Sequence, residues 1–240
     1  MKRGEPGLSG AAGPTLGRLR GVTHAQQPRS EATFHALIRA GRKALDEKFF
    51  EEMTIGDIAH DAGASVGAFY GRFSNKEAFF SAIQEITVAD IEAQLEQQLA
   101  RPEVDALSDA KFLAAVATFT VGIFRRQRGL YIASFKHSST RPGAWSPIRR
   151  LGYKASGLIA AKLAPRLKRL GVPASEREIR IGLQFMNGLL VNAVLNDPGP
   201  LSLDDRKMPA YITRFLCSFF AIDGGQNGRG NRPRKAGSHS

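Results

Sequence analysis

The stretch from Thr54 to Glu77, TIGDIAHDAGASVGAFYGRFSNKE, constrains the fold more than any other part of the chain. Thr54 and Ser65 each stand before apolar residues at helical spacing, where a hydroxyl can accept a hydrogen bond from a free backbone N–H and begin a helix. Gly63 lies between them and can adopt the positive φ that ends a helix. Ser74 and Glu77 are spaced as a capping box. The stretch therefore predicts two short helices joined by a glycine turn, followed by the start of a third.

The second of these helices, predicted over 66–73, combines an apolar inner face with a small and polar outer face. Phe69 and Phe73 lie four residues apart and are expected to pack inward. The outward residues are Gly67, Ala68, Tyr70 and Arg72. Small side chains allow a helix to approach base edges in a DNA major groove, and hydroxyl groups and cations around it can bind phosphates. An ordinary helical hairpin in an all-α core gives the same spacing, so the pattern alone leaves both interpretations open.

The order of residue types distinguishes the DNA-binding interpretation from the ordinary helical hairpin. It comprises Thr54, Asp57-Ile58-Ala59, Ala62-Gly63-Ala64-Ser65, Phe69-Tyr70, Phe73 and Lys76-Glu77. This order resembles the DNA-binding domain of the TetR family of bacterial transcriptional regulators, over roughly residues 30–90. Two positions depart from the family pattern: Phe69 stands where Leu or Val is commoner, and Gly71 where a larger residue is usual.

The resemblance implies a repressor that binds a palindromic double-stranded DNA operator as a homodimer and is released by a small-molecule effector. The alternative is a DNA-binding regulator with a filled core and no effector. The resemblance assigns phosphate contacts to Thr54, Tyr70 and Lys76. It places a second group at or near the bases: Ser65, Val66, Gly67, Ala68 and Arg72. A mostly apolar effector is expected, because few charges fall inside the central helices. Arg125, Arg126 and Arg128 leave room for one carboxylate, although a solvated helix end explains them equally.

Composition and periodicity divide the chain into four parts. Residues 1–28 and 223–240 are rich in Gly and Arg, lack periodicity and are expected to be disordered. For the first of them, an idle tail and a basic arm along DNA both remain open. The helix-turn-helix DNA-binding domain is expected over 29–80, and a helical effector-binding and dimerisation domain over 81–222. No strand-like alternation occurs, so the predicted fold class is all-α.

Charge is a weak guide to the DNA-binding surface. The chain of 240 residues has a net charge of +12, but residues 1–30 carry +4 and residues 223–240 carry +3. Residues 31–80 have a net charge of −2. The single cysteine, Cys217, excludes an internal disulfide, and neither a signal peptide nor a membrane-spanning run is recognisable. A cytoplasmic, nucleoid-associated protein that does not contact the membrane is expected.

Helical spacing continues through the second domain. Further helices are predicted over 74–100, 111–124, 130–137, 147–165, 175–196 and 204–221. Aromatic and methionine side chains on them are candidates for an effector pocket, although such residues more often form plain core: Phe119, Phe124, Tyr131, Phe135, Trp145 and Met186. The apolar faces of the last two helices are candidates for a dimer interface: Leu183, Leu190, Val194, Tyr211, Phe215 and Phe219. The alternative is that both helices complete the core of one protomer.

An enzyme is the main rival class. Gly63-Ala64-Ser65-Val66-Gly67 matches the G-x-S-x-G nucleophile elbow of α/β-hydrolases, which would make Ser65 an esterase nucleophile. That motif requires a strand before the serine, and a helix is predicted there. The five histidines show no spacing of three or four residues, and the cysteine is alone, so neither a metal nor a cofactor is expected.

Overall fold

The computed structural model describes residues 21–23, 28–141 and 143–222. These residues form ten α-helices and one short 3₁₀ helix, Phe50–Glu52, with no strand beyond one isolated bridge. The helices are α1 Pro28–Glu47, α2 Ile55–Asp61, α3 Val66–Tyr70, α4 Lys76–Leu99, α5 Pro102–Ala106, α6 Asp109–Arg126, α7 Arg128–Ser138, α8 Ser146–Arg169, α9 Glu176–Leu195 and α10 Met208–Phe219. The predicted all-α fold class is confirmed. The predicted disorder of residues 1–20 and 223–240 lies outside the described residues.

Residues 21–23, which composition assigned to the disordered first segment, are paired with the chain that follows α3. The amide of Thr23 donates to the carbonyl of Arg72 at 2.8 Å, and the amide of Ser74 donates to the carbonyl of Gly21 at 2.9 Å. Val22 and Phe73 form an antiparallel bridge between them. The expectation of disorder is therefore wrong for these three residues, because a single bridge needs no periodic sequence signal.

The first three helices pack around a cluster of phenylalanine rings. The rings of Phe34 and Phe73 are stacked with centroids 5.5 Å apart, and Phe69 and Phe79 lie within 5.2 Å of Phe73. Phe69, Phe73 and Phe79 are fully buried. The predicted inward packing of Phe69 and Phe73 is thus confirmed. Helices α1 and α4 pack against the inner side of α2 and α3.

One short helix is additional to the prediction, and one helix end differs from it. A short helix, α5, follows the break at Arg101, because Pro102 occupies its first turn, where a missing N–H costs nothing. Helix α8 continues past Pro165 to Arg169. Its last turn is held by the buried guanidinium of Arg166, which donates to the carbonyls of Val104 and Leu107 at 2.7 and 2.8 Å. A tertiary contact therefore outweighs the local proline signal.

The larger helical part is built around α6. Helix α10 packs on α6, while α8 packs against both α4 and α9. Its core contains fully buried side chains from these helices, among them Leu113, Leu163, Leu183 and Leu216. Helix α4 is buried along most of its length and passes from the phenylalanine cluster into this core. None of the helices that the structure describes is long and apolar enough to cross a membrane.

Candidate nucleic-acid interface and ligand cavity

The helix-turn-helix forms as its capping residues predict. The hydroxyl of Thr54 accepts from the amide of Asp57 at 3.0 Å, and the hydroxyl of Ser65 accepts from the amide of Ala68 at 3.0 Å. Gly63 has a φ of +64°, the left-handed conformation that ends α2. Helix α3 ends at Tyr70, earlier than the predicted Phe73. Since α2 is a helix that leads into Ser65, the strand needed for a nucleophile elbow is not there.

The predicted DNA-contacting side chains gather on the outer side of this unit. Tyr70 is 55% exposed and Val66 46% exposed. Thr54, Ser65 and Gly67 are also exposed, while Ala68 and Arg72 are half-buried. Gly71 leaves the end of α3 open, since the nearest atoms to a Cβ there would be backbone oxygens at 3.5 and 3.6 Å. The arrangement presents a short, small-residue helix with a phenol at its end.

Lys76 is placed differently from the other candidates. Asn75, not Ser74, caps α4, because its side-chain oxygen accepts from the amide of Ala78 at 2.8 Å. The amine of Lys76 then donates to the carbonyls of Phe50, Glu51 and Met53 at 2.8, 3.1 and 2.9 Å. A lysine amine has three N–H donors, and these contacts use all of them. A phosphate contact by Lys76 would have to replace one of these hydrogen bonds.

A cavity of about 620 Å³ lies among α4, α6, α7, α8 and α9. Five of the six predicted pocket residues line it: Phe119, Phe124, Tyr131, Trp145 and Met186. Phe135 does not, because it lies on the outer side of α7, is 52% exposed and meets Trp145 edge-on. The rings of Phe124 and Tyr131 stack with centroids 4.3 Å apart. Burial raises the pKa of the Tyr131 phenol above its usual range, so the hydroxyl stays neutral.

The polar residues of the cavity come from α8 and α9 rather than from the end of α6. They are Arg149, Tyr153, Ser156, Arg180, Gln184 and Asn187, with Thr120 on α6. Arg125 and Arg128, two of the three arginines considered for a carboxylate, contact other parts of the chain, and Arg126 does not line the cavity either. Arg125 donates to the carbonyls of Leu203 and Asp205, and Arg128 pairs with the carboxylate of Asp204 at 2.8 Å. They tie α6 and α7 to the segment before α10 and do not line the cavity.

Comparison with known proteins agrees with this geometry. Residues 37–83, which run from α1 through the helix-turn-helix into α4, match the family model described as bacterial regulatory proteins, tetR family. The helix-turn-helix part of the chain is thus of the TetR type. Comparison with curated protein sequences gives no match.

Solved structures resemble the chain along most of its length. A TetR-family transcriptional regulator from Mesorhizobium loti has a TM-score of 0.66 at 16% identity, covering 82% of this chain and 98% of that one. One from Streptomyces coelicolor has a TM-score of 0.60 at 15% identity, covering 80% of each. FadR from Bacillus subtilis, in complex with stearoyl-CoA, has a TM-score of 0.58 at 16% identity, covering 80% and 98%. At these identities the likeness concerns the fold.

The last two helices of the chain expose a group of large apolar side chains. This aromatic face consists of Phe185, Leu189, Tyr211, Phe215 and Phe219, each 40% to 57% exposed. The three phenylalanine rings are neighbours, with centroids 5.9 to 6.3 Å apart. Monomeric proteins rarely leave such side chains together in water, so the face is a candidate protein contact.

Three residues predicted for the dimer interface lie elsewhere. Leu183 and Leu190 are fully buried, and Val194 is 7% exposed, because this stripe of α9 packs into the core of its own protomer. Phe185 and Leu189 on the opposite side of α9 are exposed instead. The sequence contains the signal for this, since Ile181, Phe185 and Gly188 form a second stripe on the same helix, but periodicity does not show which stripe faces inward.

Helix α7 joins the helix-turn-helix region to the cavity. At its start, Gly129 lies directly against the carbonyl of Leu45 in α1, and a Cβ at that position would overlap the oxygen. In its middle, Ser134 accepts a hydrogen bond from the side chain of Gln84 in α4 at 2.9 Å. At its end, the ring of His137 packs edge-on against Phe50. Because Tyr131 of the same helix lines the cavity, α7 contacts both functional regions.

Proposed function

We propose that this TetR-family transcriptional regulator is a repressor that binds a palindromic operator as a homodimer and is released by a mostly apolar small molecule. DNA binding would be carried by residues 29–80, and effector binding and dimerisation by residues 81–222. The protein would act in the cytoplasm, on the nucleoid. The observation that carries the proposal is the course of α4, which begins beside α3 and lines the cavity with Ile91 and Leu95 near its other end.

For DNA binding, the outer side of α3 would enter the major groove. Thr54 and Tyr70 would bind phosphates, and Ser65, Val66, Gly67, Ala68 and Arg72 would lie at or near the bases. The exposure of Thr54, Ser65 and Tyr70 supports these roles. A phosphate contact by Lys76 stays a prediction, in competition with its three carbonyl contacts.

For effector binding, the cavity has the size and character of a ligand site. Its volume of about 620 Å³ falls within the usual range for small-molecule pockets, and most of its lining is aliphatic or aromatic. The stearoyl-CoA bound by FadR, a protein of similar fold, also supports a ligand with an apolar part. A ligand that favours one tilt of α4 would shift DNA binding only by its differential affinity for the two states, typically ~1–3 kcal/mol.

For dimerisation, the aromatic face is the supporting feature. One helix-turn-helix reads one half-site, and two-fold pairing sets a second one a DNA turn away, about 34–36 Å, or a multiple of it. Helices α9 and α10 of two protomers would form a four-helix contact with Phe185, Phe215 and Phe219 at its centre.

Genomic footprinting with the full chain tests the proposal, because it yields both the operator and the regulated genes. We expect protected sites that consist of two inverted half-sites. Tyr70→Phe removes a phosphate contact and should therefore lower the affinity for all of these sites alike. Arg72→Gln, at the bases, is expected to alter the preferred sequence. Arg39→Gln, on the exposed side of α1, is the matched control for loss of one charge. Binding that shows no sequence preference would refute the proposal.

A further inference from the structure

We infer that the ligand of the cavity is an amphipathic anion, whose apolar tail lies inside and whose negatively charged head binds Arg180 and Arg149 at the mouth. The inference rests on the proposed effector function and specifies the chemical class of the ligand. It is carried by the charges around the cavity, by the contacts of Arg180, and by the lack of a charged partner among the described residues deeper inside.

The charges at the cavity have one sign. Its lining contains Arg149 and Arg180 and, within the described residues, no aspartate or glutamate. Arg149 lies on α8 and Arg180 on α9. These two helices also carry exposed side chains that border the opening of the cavity, such as Tyr153 and Gln184. A positive charge beside an apolar cavity attracts an anion more strongly than one surrounded by water, because the effective dielectric constant is lower there. A cationic ligand would find no partner of opposite charge in this lining.

Arg180 is held at the cavity by features of α8. Its guanidinium carbon lies 4.4 Å from the centre of the Tyr153 ring. One terminal nitrogen occupies the space where a side chain at position 157 would begin, so a methyl group there would displace the guanidinium from its present position. The guanidinium thus lies between the aromatic ring of Tyr153 and the backbone of Gly157. A planar guanidinium is suited to paired hydrogen bonds with a carboxylate or a phosphate.

The hydrogen-bonding capacity of Arg180 is not used up. Its Nε atom is buried and has no hydrogen-bond partner among the described residues, although Glu176 Oε1 lies 2.9 Å away, because the N–H is not directed at that oxygen. The side chain of Glu176 is 66% exposed, one helical turn away on α9. Water around the exposed Glu176 carboxylate screens this pair, so Arg180 keeps both charge and hydrogen-bonding capacity for a ligand.

The opposite end of the cavity favours a hydrocarbon or aromatic group. Ile91, Leu95, Phe119, Ile123, Phe124 and Ile159 line it without a polar atom in their side chains. The hydroxyl of Thr120 is occupied, since it donates to the carbonyl of Val116 at 2.8 Å. A charged group placed there would have only the neutral phenol of Tyr131, which stacks on Phe124, to replace its hydrogen bonds to water, so the charged head belongs at the mouth.

Calorimetric titration of the full chain tests the inference with three probes that share a twelve-carbon tail: dodecanoate, dodecanoyl-CoA and dodecanol. We expect at least one anion to bind about tenfold or more tightly than dodecanol, because a hydrogen bond to a charged group contributes about this much to affinity. Stronger binding of dodecanoate identifies a free carboxylate, and stronger binding of dodecanoyl-CoA a phosphate-bearing head. Arg180→Gln and Arg149→Gln are expected to remove most of this advantage and to leave dodecanol binding unchanged.

Two further variants make the result specific. Gly157→Ala keeps every charge but displaces the guanidinium of Arg180, so it should lower anion affinity while dodecanol binding persists. Arg177→Gln removes an exposed charge from the same helix outside the cavity and should have no effect. The helical circular dichroism of all variants confirms that they fold.

Equal binding of dodecanol and both anions, or an anion preference that survives the loss of both arginines, would overturn the inference and leave the effector function standing. If no probe binds and a chemically diverse apolar library fails to release the operator, the effector function fails with it. Operator binding itself is measured separately by footprinting.

Discussion

The amine of Lys76 donates a 2.8 Å hydrogen bond to the carbonyl of Phe50, 26 positions earlier in the chain. The same amine also donates to the carbonyls of Glu51 and Met53, so it binds three carbonyls in and directly after the 3₁₀ helix. Carbonyls at the end of a helix have no partner in a following turn and need one from elsewhere. The Lys76 amine also lies 4.7 Å from the centre of the Phe50 ring. The start of α4 is thereby fixed to the segment that leads into the helix-turn-helix.

Replacement of Lys76 by alanine is expected to lower the free energy of unfolding by about 1–3 kcal/mol, because three carbonyls lose a charged donor. Chemical unfolding of the variant measures this loss. A phosphate contact would in addition reduce the slope of log affinity against log salt by about one. Lys43→Ala, at a side chain 69% exposed on α1, is the control and should leave stability nearly unchanged. A Lys76→Ala variant as stable as wild type would contradict the role seen in the structure.

Phe215→Asp in the aromatic face is expected to separate the protomers while each keeps its helices. A charge placed in the centre of an apolar contact costs more than about 2 kcal/mol, which raises the dimer dissociation constant by roughly 30-fold or more. Phe219→Asp should act in the same way. Analytical ultracentrifugation gives the mass, and circular dichroism the helicity. Leu170→Asp is the control, since Leu170 is 50% exposed at the end of α8, outside this face. A wild-type chain that stays monomeric at micromolar concentration would rule out the dimer.

Gly129→Ala is expected to destabilise the protein by about 1–3 kcal/mol, since the added methyl group overlaps the carbonyl of Leu45 and α7 must move away from α1. Thermal and chemical unfolding measure the change. Gly152→Ala on α8 is the matched control, because no atom lies within 4 Å of its Cβ. There the greater helix propensity of alanine should stabilise the chain by up to about 1 kcal/mol. Equal effects of the two substitutions would show that the α1–α7 contact is not tight.

His137 is expected to make the stability fall in mild acid. Burial, followed by the charge of Arg141, lowers the pKa of His137, while Glu77 and Glu51 oppose the shift. At pH values between the lowered pKa and the ordinary pKa of about 6.5, the unfolded chain binds more protons at this histidine than the folded chain. The free energy of unfolding therefore rises with pH through this window and no longer changes above it. Melting temperatures between about pH 5 and 7 should therefore vary less in His137→Gln than in wild type. His60→Gln, at an exposed histidine, should retain the wild-type dependence.

The helix-turn-helix was predictable because its signals are local. The hydroxyl of Ser65 and the positive φ of Gly63 act within four residues of their position, so the sequence alone indicates where α2 ends and α3 begins. The same holds for the capping box of Ser175 and Glu178 at the start of α9. Five pocket residues were also predictable, since large apolar side chains on several packed helices leave irregular space between them.

What was not predictable depends on contacts between distant segments. The three carbonyls at Lys76 lie more than 20 positions away, and a lysine near a predicted DNA surface carries no sign of such a use. Periodicity gives two apolar stripes on α9, but only the packing of α6, α8 and α10 decides that Leu183 faces inward and Phe185 outward. Arg180 becomes noticeable only when Tyr153 and Gly157 are seen on the adjacent helix.

The pairing of Gly21 with Ser74 has a practical consequence for fusion proteins. The two hydrogen bonds of residues 21–23 hold the chain beside Arg72, immediately after the helix proposed to enter the groove. In a chain shortened to begin at Gly21, a purification tag would therefore be joined next to that helix. A purification tag at this end would add its own charge and bulk where affinity is being measured, so binding assays call for a cleavable tag, removed before the titration.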